Sequence, residues 1–339
     1  MKHMKKVVFD NPGTPDVLYT VDVDIPKPAP DEVLLETTAI GVNYIDVYLR
    51  SGQLPQKIEP HTGIGVESVG RITALGQNVT DLVVGDRAAT IGGTPGSYSS
   101  HRIFPRSRII PLPDSISDDT AAALFFKGLT VEYLINRCFA VQDGQSVLWH
   151  AAAGGVGQIA GQWLSQRDIN LIGIVGSEAK IDTAKAHGFS TVLLSTSATL
   201  EADIQQLTDG QGVDVAYDSV GAATFDISLK ALKPRGTLVL FGNASGKVVG
   251  FDTSRLGAQG SVFLTRPSIA HYIADPDEFQ AAAQNVITAI ETGVITPGAI
   301  NIFDLKDVVS VHQALEKRQL VGSTILHPAD PETDAEAGQ

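Results

Sequence analysis

Ser146-Val-Leu-Trp-His-Ala-Ala-Ala-Gly-Gly-Val-Gly157, continued by Gln158–Arg167, is the stretch from which the architecture can be read. An apolar run ends in a cluster of small residues that opens a helix-length segment. Without a Cβ the backbone can turn tightly, let a pyrophosphate approach its N–H groups, and pack helix against strand. The first N–H groups of a helix have no intrahelical partner and suit an anion. The spacing is Ala151-x-x-Gly154-x-x-Gly157, not GxGxxG, so a turn shaped for packing alone is the competing explanation. The strand before, the helix after and the further strand–helix units downstream favour a dinucleotide.

Outward from this turn, the apolar runs Val147–Trp149, Leu171–Val175, Val192–Leu194, Val213–Tyr217 and Leu238–Phe241 alternate with helix-length segments. That rhythm predicts βαβ units and a doubly wound parallel sheet, an α/β fold. Residues 1–120 read differently. Pro and Gly interrupt them every few positions, and short β-branched runs such as Val33–Thr38 and Val69–Ala74 lie between, which predicts a β-rich domain. Asp114-Ser115-Ile116-Ser117 before an Ala-rich stretch predicts a capped helix, and further helices are expected over Pro276–Thr292 and Lys306–Lys317. The end, 328–339, carries four acids and no base and is expected to be disordered.

Composition excludes several classes. The chain has 339 residues, 43% hydrophobic and 19% charged, the make-up of a soluble globular protein with room for two domains. Its net charge of −13 gives no electrostatic support to a nucleic-acid partner. One cysteine, Cys138, excludes a disulfide framework and any zinc site built on several thiolates. The basic start gives way at once to Asp10 with no signal-peptide core, so no membrane association and a cytoplasmic location are expected.

The run Leu171–Val175 ends in Gly176-Ser177, where an NAD-selective site tends to place an acid for the ribose hydroxyls. A small residue leaves room for a 2′-phosphate, and Lys180 can pair with it. This favours NADPH over NADH. Glu178 is the opposing charge, and an ordinary solvated helix lysine is the other reading of Lys180.

Six segments occur in a telling order: Gly41-Val-Asn-Tyr-Ile-Asp-Val-Tyr-Leu-Arg-Ser-Gly52, Phe126-Lys-Gly-Leu-Thr130, His150–Gly157, Tyr217-Asp-Ser-Val-Gly221, Phe241-Gly-Asn-Ala-Ser-Gly246 and Thr265-Arg-Pro-Ser268. Together they resemble the zinc-free quinone oxidoreductases, the zeta-crystallin-like branch of the medium-chain dehydrogenase/reductase superfamily, from about residue 5 to 327. The resemblance implies a GroES-like substrate domain over 1–124 and 267–327, with a Rossmann NADPH-binding domain over 125–266 inserted in it. It further implies Asn43 and Thr130 at the nicotinamide end, and Gly154, Gly155, Val156 and Gly157 at the pyrophosphate. Gly176, Ser177, Lys180, Ser195 and Arg318 would surround the adenosine end. Ser219, Phe241, Gly242, Asn243 and Arg266 would complete the cofactor set, and a homodimer would form through the Rossmann domains, Val262–Leu264 being a candidate edge. Two departures stand out: family members often carry tyrosines where this chain has Ser195 and Leu54, which weakens the NADP preference and removes a phenol from the substrate side.

The larger superfamily includes zinc enzymes, which need three protein ligands and an open position. At the matching places this chain offers Asn43 and Gly65-Val66-Glu67 instead of a thiolate and Gly-His-Glu, so no metal is expected; His61 reads as a loop residue. Without a Lewis acid, reduction of an electron-poor acceptor is the less demanding chemistry. A quinone or enone takes hydride with charge spread onto a carbonyl oxygen, and donors plus orientation suffice. Asn43, Tyr48 and Asn243 are the candidates for positioning the substrate, with a local turn bond (Asn43) and core packing (Tyr48) as their plainer readings. Asp46 and Arg50 read equally as a structural pair or as ligand contacts, His150 as strand-end packing and Cys138 as inert. An NADPH-dependent quinone reductase is thus expected; an enone or alkenal reductase, or a dinucleotide-binding crystallin-like protein with little turnover, are the alternatives.

Overall fold

The computed structural model describes residues 3–328; the tail expected to be disordered lies outside the described residues from position 329 onward. Eight strands come first: β1 (His3–Phe9), β2 (Tyr19–Asp24), β3 (Glu32–Val42), β4 (Thr62–Gly63), β5 (Glu67–Leu75), β6 (Arg87–Ile91), β7 (His101–Pro105) and β8 (Ile109–Pro111). Helix α1 (Tyr44–Arg50) follows β3, and α2 (Asp118–Tyr133) follows β8. The cap of α2 is Ser117, whose Oγ accepts from the Thr120 N–H at 3.2 Å, and Asp118 and Asp119 place negative charge in its first turn.

Alternation then begins: β9 (Ser146–His150), α3 (Gly155–Leu164), β10 (Asn170–Val175), α4 (Ile181–Ala186), β11 (Thr191–Leu194), α5 (Leu200–Leu207), β12 (Val213–Asp218), α6 (Phe225–Lys230), β13 (Leu232–Leu240), α7 (Ser254–Ala258) and β14 (Phe263–Thr265). These six strands form one parallel sheet in the order β11-β10-β9-β12-β13-β14. Leu148, Ile172, Ile174, Ile204, Val213 and Leu229 are among the buried residues of its core. The chain ends with α8 (Ile269–Tyr272), α9 (Pro276–Glu291), β15 (Ile300–Asp304), α10 (Val308–Glu316) and β16 (Ser323–His327). Among the described residues no helix is long and apolar enough to cross a membrane.

Among the described residues two compact units result, residues 3–126 with 297–328, and residues 127–296. The first contains a seven-stranded sheet, in which β15-β16-β3-β5-β6-β8 run in order with β7 also on β3, and the smaller sheet β2-β1-β4. The second crossing lies thirty residues after the expected 266/267. The reason is α9, which packs with α2: a Cβ on Gly128 would meet Val286 at 2.9 Å, and Asn285 donates to Glu132 at 3.2 Å. Strand β3 also runs past the expected Thr38, because its second half pairs with β16, Ile40 beside Leu326.

Candidate functional site

In the second unit, successive strands run β9, β10, β11 to one side and then β12, β13, β14 to the other. The order therefore reverses between β9 and β12, and a ligand of such a sheet sits beyond the carboxyl ends at that point. The glycine turn lies there. Ala151 takes the left-handed conformation at φ 56, Gly154 caps α3 in an extended conformation, and Gly155, Val156 and Gly157 form its first turn. A Cβ on Gly157 would come within 2.4 Å of the Ala151 carbonyl oxygen and 2.6 Å of that of Ala152, so only glycine lets the helix close on the turn. With no side chain at Gly154 or Gly155, a phosphate can approach the N–H groups at the start of α3.

The other candidates of this unit follow the remaining strand ends. Gly176, Ser177 and Lys180 come after β10, and a Cβ built on Gly176 meets nothing within 4 Å, so the space beside that strand end is open. Ser195 is exposed after β11, its N–H held by the Val175 carbonyl at 2.9 Å. Ser219 follows β12, and Phe241, Gly242 and Asn243 follow β13. Those two loops are laced together: Ala244 N–H donates to Ser219 O at 3.3 Å, and a Cβ on Gly242 would lie 2.3 Å from that oxygen. Arg266, just past β14, donates to Asn243 Oδ1 at 3.3 Å. Thr130 is buried in α2. The open glycine turn, the room at Gly176 and the basic Lys180 fit a dinucleotide with a 2′-phosphate.

A residue not singled out in the sequence holds this end of the sheet. Asp218 is fully buried, and its Oδ1 accepts from the N–H groups of Val220 and Gly221 at 2.8 and 3.0 Å. Thr224 donates to it at 2.8 Å and Ser228 at 2.7 Å. The Asp-Ser-Val-Gly order was the available signal, since an aspartate before a turn bonds the backbone two and three residues on. With the Ser228 proton committed to Asp218, His150 Nε2 donates to Ser228 Oγ at 2.9 Å. Burial pushes the His150 imidazole down from its ordinary range, against the pull of the Asp218 charge. His150 is thus a packed strand-end residue. Cys138 is half-buried, and burial pushes its thiol up, away from the reactive thiolate.

Asn43, Tyr48 and Arg318 belong to the first unit. Asn43 is 5% exposed at the N-terminus of α1. Its Nδ2 donates to Glu67 Oε2 at 2.9 Å and to the Gly41 carbonyl at 3.4 Å, while its backbone N–H donates to Asp46 Oδ2 at 2.9 Å. Tyr48 is half-buried one turn along, its ring edge-on to Tyr44 at 5.2 Å. Asp46 also accepts from Tyr98 Oη at 2.9 Å, and Tyr98 lies 3.3 Å from His312 Nε2. Burial, with the Arg50 charge nearby, pushes His312 down to about 3. Arg50 pairs with Glu316 rather than with Asp46. Arg318, past the end of α10, is exposed and left-handed at φ 58. Leu54 packs against the core built on Phe9, Ile40, Leu49 and Ile64. Neither the committed amide of Asn43 nor the hydrocarbon of Val66 is a zinc ligand, and among the described residues no three His, Cys, Asp or Glu are grouped to hold a metal.

Comparison with known proteins agrees with this geometry. A zinc-binding dehydrogenase family model matches residues 155–287, and an alcohol dehydrogenase GroES-like domain model matches residues 29–114. A quinone oxidoreductase of Pseudomonas aeruginosa is 39% identical over 324 residues, 96% of this chain and 99% of that protein. A 2-haloacrylate reductase of a Burkholderia species is 36% identical, covering 95% of this chain and 98% of that protein. The crystal structure of Escherichia coli quinone oxidoreductase complexed with NADPH matches with a TM-score of 0.92 at 37% identity, covering 96% of this chain and all of that one.

Proposed function

We propose, from the premise that this chain belongs to the quinone oxidoreductase family of the medium-chain dehydrogenase/reductase superfamily, that it passes reducing equivalents from NADPH to a quinone-like acceptor without a metal. The observation that carries the reading is the glycine turn at the point where the parallel sheet reverses its strand order. When bound, NADPH supplies the hydride equivalent. The N–H groups of Gly154–Gly157 hold the pyrophosphate, and Gly176, Ser177 and Lys180, with Arg318 and Ser195, take the adenosine end and its 2′-phosphate. Thr130, Ser219, Phe241, Gly242 and Arg266 take the nicotinamide half.

The acceptor requires little of the protein. A quinone spreads incoming charge over its carbonyl oxygens, so orientation and a few polar groups near one oxygen are sufficient. Tyr48 and Asn243 orient the acceptor, Asn43 helps to fix the reacting pair, and solvent completes protonation. The exposed edge strand β14, with Phe263 61% exposed, is the surface through which two copies pair; light scattering showing a monomer at micromolar concentration would remove that part. The test of function is NADPH oxidation with benzoquinone, naphthoquinone and an alkenal series. Turnover of both quinones is expected. Turnover of alkenals with none of either quinone overturns the acceptor class, and binding of NADPH with no turnover at all overturns the enzyme.

A further inference from the structure

Glu67, at the start of β5, is a fully enclosed carboxylate beside Asn43, with 0% of its surface exposed. Its Oε1 accepts from the Phe126 N–H at 2.7 Å, and its Oε2 accepts from Asn43 Nδ2 at 2.9 Å. The backbone is shaped around it. A Cβ on Gly41 would fall 2.0 Å from Glu67 Oε2 and 2.6 Å from the Ala122 carbonyl, so position 41 admits the carboxylate only as glycine. A carboxylate has acceptors alone, whereas a primary amide has a donor end and an acceptor end. Glu67 therefore selects which end of Asn43 turns inward.

The consequence concerns polarity. Both N–H bonds of the Asn43 amide are committed, one to Glu67 and one to the Gly41 carbonyl. Its oxygen faces the start of α1, where it caps the Asp46 N–H, and a carbonyl oxygen keeps a second lone pair. We propose that Glu67 is a positioning residue that fixes Asn43 as a hydrogen-bond acceptor only, so that Asn43 receives a sugar hydroxyl of the cofactor and gives nothing to the acceptor's carbonyl oxygen. This rests on the NADPH reading above and deepens it. Charge developing on a quinone oxygen needs donors, and Asn43 has none left to offer; a ribose hydroxyl is itself a donor and matches the lone pair.

Glu67→Gln tests the inference by reversing the polarity. The glutamine oxygen must still accept from Phe126, so its amide N–H points at Asn43 and forces the Asn43 oxygen inward and its N–H outward. Equilibrium NADPH affinity is expected to fall about tenfold, while the KM for quinone stays within about twofold. Asn43→Asp sets two carboxylates against each other, and should lower both the affinity and the melting temperature of the cofactor-free protein. The double variant Glu67→Gln/Asn43→Asp restores a donor facing an acceptor with a lone pair outward. It is expected to recover NADPH affinity to within about threefold of wild type and to recover most of the cofactor-free melting temperature lost in Asn43→Asp, the remainder being the Gly41 carbonyl left without its donor. Losses that simply add in the double variant overturn the inference, as does a Glu67→Gln protein whose quinone KM rises with NADPH affinity untouched. A wild-type protein that fails to bind NADPH overturns the functional reading first and this inference with it, so the two failures are distinguishable.

Discussion

The two units hold their candidate residues by different physics. In residues 127–296 the candidates are mostly loop positions whose place is set by the main chain, at strand ends and at the glycines between them. In the first unit the candidates are side chains, and the buried one, Asn43, belongs to a network of buried side chains: Glu67 accepts from Asn43, Asp46 from Tyr98, and Tyr98 lies beside His312. A main-chain site tolerates change in any side chain that leaves the backbone path intact. A side-chain network tolerates none that alters polarity, because an unsatisfied buried group costs about 1–3 kcal/mol.

The largest effect that would break this contrast is expected at Gly157. Gly157→Ala drives a methyl into two backbone carbonyls that cannot swing aside, so NADPH affinity should fall by about a hundredfold or more, equal to about 2.7 kcal/mol. Gly176→Ala, whose methyl meets nothing within 4 Å, should cost far less. Comparable losses in the two titrations would show that the turn is not the main-chain cradle described.

An intermediate effect is expected from the buried network of the first unit. His312 is held neutral down to about 3, from an ordinary value of 6.5. Between those values the unfolded chain binds the proton and the folded one does not, so stability rises with pH across that window. The contribution is fully present above about pH 6.5 and is lost as pH falls toward about 3. The melting temperature should therefore drop on acidification across this range, and His312→Gln should flatten the drop. An unchanged slope in the variant would place the acid sensitivity elsewhere.

The smallest effect sharpens the cofactor preference. Lys180→Ala should weaken NADPH binding by about tenfold, close to 1.4 kcal/mol, and leave NADH binding where it was. Equal losses for both cofactors would mean that Lys180 does not meet a 2′-phosphate.

The same division explains what could be read from the sequence. The five apolar runs beginning at Val147, Leu171, Val192, Val213 and Leu238 each became a parallel strand, because a doubly covered strand must be apolar along its length. The candidate loops of the second unit then followed from position alone. Asp218 carried only a local turn signal, its partners lying within ten residues, and Glu67 gave none. The role of Glu67 depends on Asn43 and Phe126, far away in the chain, and such pairings have no period. The later crossing at 296/297 was hidden for a related reason: an amphipathic helix such as α9 shows that it has a buried face, not which domain covers it.

The pairing of β16 with β3 has a kinetic meaning. Ile40 emerges early in synthesis and waits for Leu326, so this part of the first sheet closes only after the whole intervening segment has been made. All six strands of the parallel sheet lie inside the intervening segment, and their contacts close shorter loops. Folding on the ribosome should therefore complete the inner unit first. Pulse proteolysis of stalled chains lacking β16 is expected to find residues 127–296 protected while the first unit is still cut.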